Sequence, residues 1–158
     1  MKLFTIHNPT EEKLLRTKLA PFDFTKYSKK ELDNLVLQMR KLMHAEQGVG
    51  LAANQAGFDT QFFVATTDGK FYAIFNPVIE DYLGEKLSLN EGCLSVPGKS
   101  GEIIRSEKIV LSFQDKTGKK RKIKAWGLLA QIFQHETDHL NGKLYIDNAT
   151  NIFDLPHE

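Results

Sequence analysis

At 158 residues, with 41% hydrophobic and 26% charged side chains, the chain has the size and composition of one folded domain spanning 1–158, which excludes disordered, collagen-like and membrane-spanning classes. Lys and Arg total 21 against 20 Asp and Glu, a net charge of +1, so no global field draws the protein to DNA or to an anionic membrane. Its single cysteine, Cys93, excludes an intramolecular disulfide and must act as a thiol or thiolate.

The first segment, Met1–Pro9, lacks the unbroken apolar stretch of a secretory leader, and Glu11 and Glu12 argue against a transit peptide, so a cytoplasmic location is expected. Pro9 and Pro21 bracket a short helical run near Glu11–Arg16, and residues 1–27 are expected to wrap the domain. Ser28 and Glu31 have capping-box spacing. With Leu32, Leu35, Val36, Met39, Leu42 and Met43 recurring on one stripe, they predict a helix from Ser28 to about Glu46. Gly48 is placed to end that helix in a left-handed conformation, and Val49–Gln55 reads as a loop of small residues.

Gln61–Thr66 and Phe71–Phe75 flank Asp68-Gly69 as a tight hairpin, and Asn76-Pro77 breaks the run. Val78–Leu83 and Glu85–Leu89 are predicted to form another hairpin around Gly84, and Lys108–Gln114 to pair with Arg121–Ala125. Gly127–Leu140 reads as a second helix with Leu128, Ile132, His135 and His139 on one inward stripe. A helix, then strands, then a helix argues for an α+β fold rather than βαβ repeats.

The sharpest chemical signal is His135-Glu136-Thr137-Asp138-His139. Helix residues four apart differ by about 40° around the axis, so both imidazoles can reach one metal ion from consecutive turns. Glu136 stands beside that face, where it can exchange protons with metal-bound water. A third protein ligand is needed. Tyr145 stands where an extended metalloprotease motif has His, and the late carboxylates Asp154 and Glu158 have no readable helix to hold them. Cys93, in Glu91-Gly92-Cys93-Leu94-Ser95, is the better candidate, although a lone cysteine is otherwise usually a small buried apolar residue.

Three segments, Gly48-Val49-Gly50-Leu51-Ala52-Ala53-Asn54-Gln55, Glu91-Gly92-Cys93-Leu94-Ser95 and Gln134-His135-Glu136-Thr137-Asp138-His139-Leu140-Asn141-Gly142, resemble in order and spacing the signature motifs of peptide deformylases. The resemblance runs from about Glu31 to Asp147 and implies the peptide-deformylase-like fold, short antiparallel sheets around a central metal-binding helix. It implies that Cys93, His135 and His139 hold one divalent metal, Fe²⁺ in vivo, with Zn²⁺, Ni²⁺ or Co²⁺ accepted by the same donors. Glu136 would then be the general acid/base, with the Gln55 amide and the Leu94 N–H as donors to the formyl oxygen. Main-chain groups of Val49, Gly50 and Gly92 would pair with an N-formylmethionyl nascent peptide. Val49, Leu128, Ile132 and the His135 ring would line the methionine pocket, and Gln131 is not the residue expected at its rim. The implied protein is a cytoplasmic monomer with no DNA or membrane partner.

Glu91 and Arg105 either pair to orient the cysteine loop or form a solvated pair worth under about 1 kcal/mol. Six basic residues within 116–124 suit a solvated hairpin edge, or a weak contact with ribosomal RNA. Only 19 residues follow His139, so a short form lacking the family's long C-terminal helix is expected, similar in extent to bacteriophage-encoded versions. Two rivals are a metallopeptidase acting on internal bonds, which needs a further downstream ligand, and a binding module that kept the fold without the chemistry.

Overall fold

The structure, a computed structural model, describes residues 1–156, so Glu158 lies outside the described residues. Asn8 caps a short helix, α1 (Pro9–Leu15), accepting from the Thr10 and Glu11 N–H groups. The Ser28/Glu31 capping box forms as predicted and opens α2 (Lys29–Ala45), whose Leu32, Leu35, Val36, Met39 and Met43 are buried. The end of α2 departs from expectation. Gln47, not Gly48, takes the left-handed conformation (φ 57°), while Gly48 N–H reaches back to the Met43 carbonyl at 2.9 Å, closing a Schellman motif. Gly48 serves close approach instead, since a Cβ there would sit 2.7 Å from Leu94 Cδ1.

The segment expected to be a loop is ordered by pairing. Gly50–Ala52 forms β1 and Ala53–Ala56 a 3₁₀ turn, because β2 (Phe62–Thr67) supplies an antiparallel partner that local sequence cannot reveal. The Asp68-Gly69 hairpin is borne out, both residues having positive φ (51° and 74°) as a primed turn requires.

The expected break at Asn76-Pro77 and the hairpin at Gly84 are both overturned. β3 (Lys70–Cys93) runs straight through them and pairs with β4 (Val96–Gln114). Register shifts between Phe75 and Val78, and between Leu83 and Lys86, absorb the irregular residues as bulges. A bulge removes the ladder bond that Pro77 cannot donate, and Gly84 tolerates the φ of +71° at its own. Asn76 is further tied by its side chain to Phe22 N and O at 2.7 and 3.1 Å.

β4 pairs on with β5 (Lys120–Trp126) as expected, in a register that sets Leu111 opposite Ile123. The order is β1-β2-β3-β4-β5, and β6 (Thr150–Asp154), for which the sequence offered no signal, adds to β4 near Ser100. The second long helix, α3 (Gly127–Leu140), packs on β1, β2 and β4. The main core, including Phe62, Phe63, Phe75, Met39 and Phe133, lies between sheet and helices, and the mixed α+β class is as predicted. No helix of the described residues is long and apolar enough to cross a membrane.

Candidate active site

The predicted i, i+4 geometry brings His135 and His139 onto consecutive turns of α3, with their Nε2 atoms 3.2 Å apart. Cys93 ends β3 just before the Leu94-Ser95 turn, which delivers its Sγ to 3.3 Å from His139 Nε2. All three donor atoms lie within 4.8 Å of one another. These separations fit the ligands of one small cation, given metal–nitrogen bonds of about 2.0–2.1 Å and metal–sulfur bonds of about 2.3 Å. A thiolate with two imidazoles is also a donor set suited to zinc or iron, so the residues form a metal-binding group.

Behind the ligands lies a polar chain that sequence reasoning only half found. Glu91 Oε1 accepts from His135 Nδ1 at 2.7 Å, which leaves the Nε2 lone pair facing Cys93 and His139. Arg105 grips Glu91 with two N–H donors, Nε to Oε2 and Nη2 to Oε1, each at 2.8 Å. Arg105 Nη1 also donates to Asp138 Oδ2 at 2.6 Å, bridging β4 to α3. Glu91 and Arg105 are each 7% exposed, so the solvated alternative for this pair is corrected to a buried one. Burial acts to raise the Glu91 carboxyl, but the hydrogen bonds from Arg105 and His135 outweigh it and hold the group at about 2. The orienting link from Glu91 to His135 was missed because it joins residues 44 positions apart.

Glu136 is 4% exposed, and its Oε2 has no hydrogen-bond partner among the described residues. Burial pushes this carboxyl up to about 7, the neighbouring Glu91 and Asp138 charges adding to the effect against His135 and Arg105. The carboxyl fits only because residue 50 is glycine: a Cβ there would collide with Glu136 Oε1. Gln55 is equally constrained. Its Oε1 accepts from Ala52 N at 2.9 Å, so its Nε2 points to Ser95 Oγ (3.1 Å) and toward Cys93 Sγ (3.7 Å). Ser95, not singled out in the sequence, in turn donates its hydroxyl to the Phe4 carbonyl at 2.7 Å.

A cavity of about 960 Å³ opens on this group, and Val49, Gly50, Gln55, Gly92, Cys93, Leu94, Leu128, Ile132, His135 and Glu136 all line it. Ile132 is buried as predicted, but Leu128, in the first turn of α3, is 55% exposed, so its assignment to an inward stripe is corrected to a place at the cavity's rim. Gln131 donates to the Asn90 carbonyl at 3.2 Å, making that rim polar and tying α3 to β3. Leu3 and Leu155, from the two ends of the chain, also line the cavity. Leu155 is brought there by its N–H bond to the Gly98 carbonyl (2.8 Å), a contact that depends on the unforeseen β6.

A family model described as polypeptide deformylase matches residues 2–153. A peptide deformylase of Halothermothrix orenii is 41% identical over 141 residues, covering 88% of this chain and 89% of the relative. One of Prochlorococcus marinus subsp. pastoris is 42% identical over 130 residues, covering 79% of this chain but only 65% of the longer relative. The crystal structure of a probable peptide deformylase from Synechococcus phage S-SSM7 superposes with a TM-score of 0.84 at 38% identity, covering 94% of this chain and 99% of that one.

Proposed function

The chain belongs to the polypeptide deformylase family, metal-dependent hydrolases that remove the formyl group from the N-terminal methionine of new polypeptides, and we propose that it carries out this reaction as a single cytoplasmic domain. The observation that carries the reading is that Cys93, His135, Glu136 and Gln55 line one cavity, with His139 completing the Cys93–His135 metal-binding group behind it. Cys93, His135 and His139 would hold the ion, Fe²⁺ in vivo with Zn²⁺, Ni²⁺ or Co²⁺ as substitutes, which supplies a Lewis acid and acidifies water when bound.

Glu136 takes the proton of the attacking water at its unpartnered carboxylate oxygen and hands it to the departing amine, so formate and a free N-terminus leave together. Gln55, its amide locked by Ala52 and Ser95, and the Leu94 N–H donate to the formyl oxygen as it gains charge; removing one such donor typically costs on the order of 100-fold in rate. β1 is an edge strand, and the stretch of β3 leading to Cys93 pairs on one side only, with β4. Main-chain groups of Val49, Gly50 and Gly92 can therefore take an extended peptide between them as an added strand. The Val49 carbonyl already accepts from Thr66 N at 2.8 Å, which holds this edge in place. Val49, Leu128, Ile132 and the His135 ring enclose the methionine side chain. The protein acts as a monomer on N-formylmethionyl nascent peptides and contacts the ribosome only weakly.

Formate release from a formyl-methionyl tripeptide by the metal-loaded protein tests this reading, and its absence would overturn it. Cys93→Ser is expected to lose metal on gel filtration along with formate release, since an alcohol is a far poorer ligand for these ions. Full metal content in that variant would remove Cys93 from the ligand set. Gly50→Ala is expected to displace the Glu136 carboxyl and lower kcat by about 10- to 100-fold with metal content unchanged, because a misplacement of about 1 Å is costly at a reacting centre.

A further inference from the structure

Along β5, Lys120, Lys122, Lys124 and Trp126 alternate on one face of the sheet and are all exposed, while Ile123 and Ala125 between them turn inward. Among the described residues β5 pairs only with β4, so this is the outer edge of the sheet. Among the described residues none of the three lysines has an ion-pair partner, whereas their neighbours Lys116 and Arg121 are paired with Asp33 and Asp115. Trp126, the chain's one tryptophan, is 66% exposed, and Lys108 lies directly across from it on β4. Acidic groups on this side include Asp81, one strand further in beyond Val110, and Glu80, which with Val78, Ser112, Lys120 and Lys122 lines a shallow groove of about 550 Å³.

Unpaired lysines on an edge strand prevent sheet-to-sheet association, which accounts for the lysines. It does not account for a large aromatic ring left in water at the end of the same row. Successive lysines on one strand face are about 6.6–6.8 Å apart, close to the phosphate spacing of an extended nucleic-acid strand. Lysines on phosphates with an aromatic side chain stacked on a base are the two components of single-strand binding surfaces. The row is also oriented: Trp126 immediately precedes α3, whose Leu128 lines the mouth of the cavity.

We propose that the outer face of β5 docks single-stranded RNA, with phosphates along Lys120, Lys122 and Lys124 and a base on Trp126. An RNA-containing assembly held there carries its peptide to the adjacent cavity. This second step rests on the deformylase reading, whereas docking is measured without turnover.

Because Trp126 is the only indole, its fluorescence reports the contact directly. Titration with a 12-nucleotide oligouridine at 50 to 200 mM salt is expected to quench it saturably. The triple variant Lys120→Gln/Lys122→Gln/Lys124→Gln is expected to reduce the salt slope of log K by about 2 and to weaken binding on the order of 100-fold at 0.1 M salt. It should leave formate release from a free formyl-methionyl tripeptide unchanged. Trp126→Ala, followed by anisotropy of labelled RNA, is expected to bind at least about fivefold more weakly. Absent quenching, equal binding by the triple variant, or tighter binding to phosphatidylserine vesicles than to RNA would each overturn the proposal. RNA binding by a protein that releases no formate would leave docking standing and remove the deformylase reading instead.

Discussion

Glu136→Gln is expected to lower kcat/KM for formyl-methionyl peptides by about 10²- to 10⁴-fold, the range typical of losing a positioned acid/base, while the protein still binds one metal per chain. The side chain is buried, so the variant must be chosen to separate chemistry from packing. Gln keeps the volume beside Gly50 and removes only the capacity to take and return a proton. Glu136→Ala adds a small cavity and should be no more active. Because Cys93, His135 and His139 are untouched, metal analysis of both variants should match the parent protein. Unchanged turnover in Glu136→Gln would remove this residue from the proposed proton path.

The second large effect is expected at Glu91, which is not a ligand. Glu91→Ala leaves Arg105 buried with only the half-exposed Asp138 as partner, and breaking a buried pair from one side costs about 3–5 kcal/mol. For a chain of this size that corresponds to a Tm lower by about 10 °C, read by calorimetry on the metal-loaded protein. The same substitution removes the acceptor for His135 Nδ1, and losing such an outer partner typically weakens metal binding by about 10- to 100-fold, read by chelator competition. Glu91→Gln separates the two. It can still accept from His135 while losing the charge that balances Arg105, so metal retention should recover more than stability does. Equal losses in both variants would show that charge, not ring orientation, is what Glu91 contributes.

The parts of the site that were legible in the sequence are those built from residues within one helical turn or one strand end. The His135 and His139 pair, Glu136 between them, and the cap on α2 depend on spacings of three or four residues, which helix geometry converts directly into position. Cys93 was already the better candidate for a third ligand and Gln55 entered through resemblance to a family motif, and the fold brings both to the metal-binding group. What local spacing could not supply was their support. Ser95 on Gln55, Asp138 on Arg105 and Leu155 at the cavity wall join segments that meet only after folding. The misread strands have a related cause. Pro77 and Gly84 carry strong local signals for breaks, but two long partners offer enough ladder on either side that a bulge costs less than ending the strand.

The sequence by itself therefore determined the α+β class, the helical metal motif, the carboxylate between its two histidines and the lone thiol, because each is written in residue type and short-range period. Only the tertiary structure decided that Glu91 and Arg105 are buried together, that Leu128 stands at the rim, and that the lysines of β5 form one exposed row ending in Trp126 beside the cavity. Burial and strand register depend on which distant segments share a surface, and the free energy that selects them belongs to the whole sheet rather than to any stretch of chain.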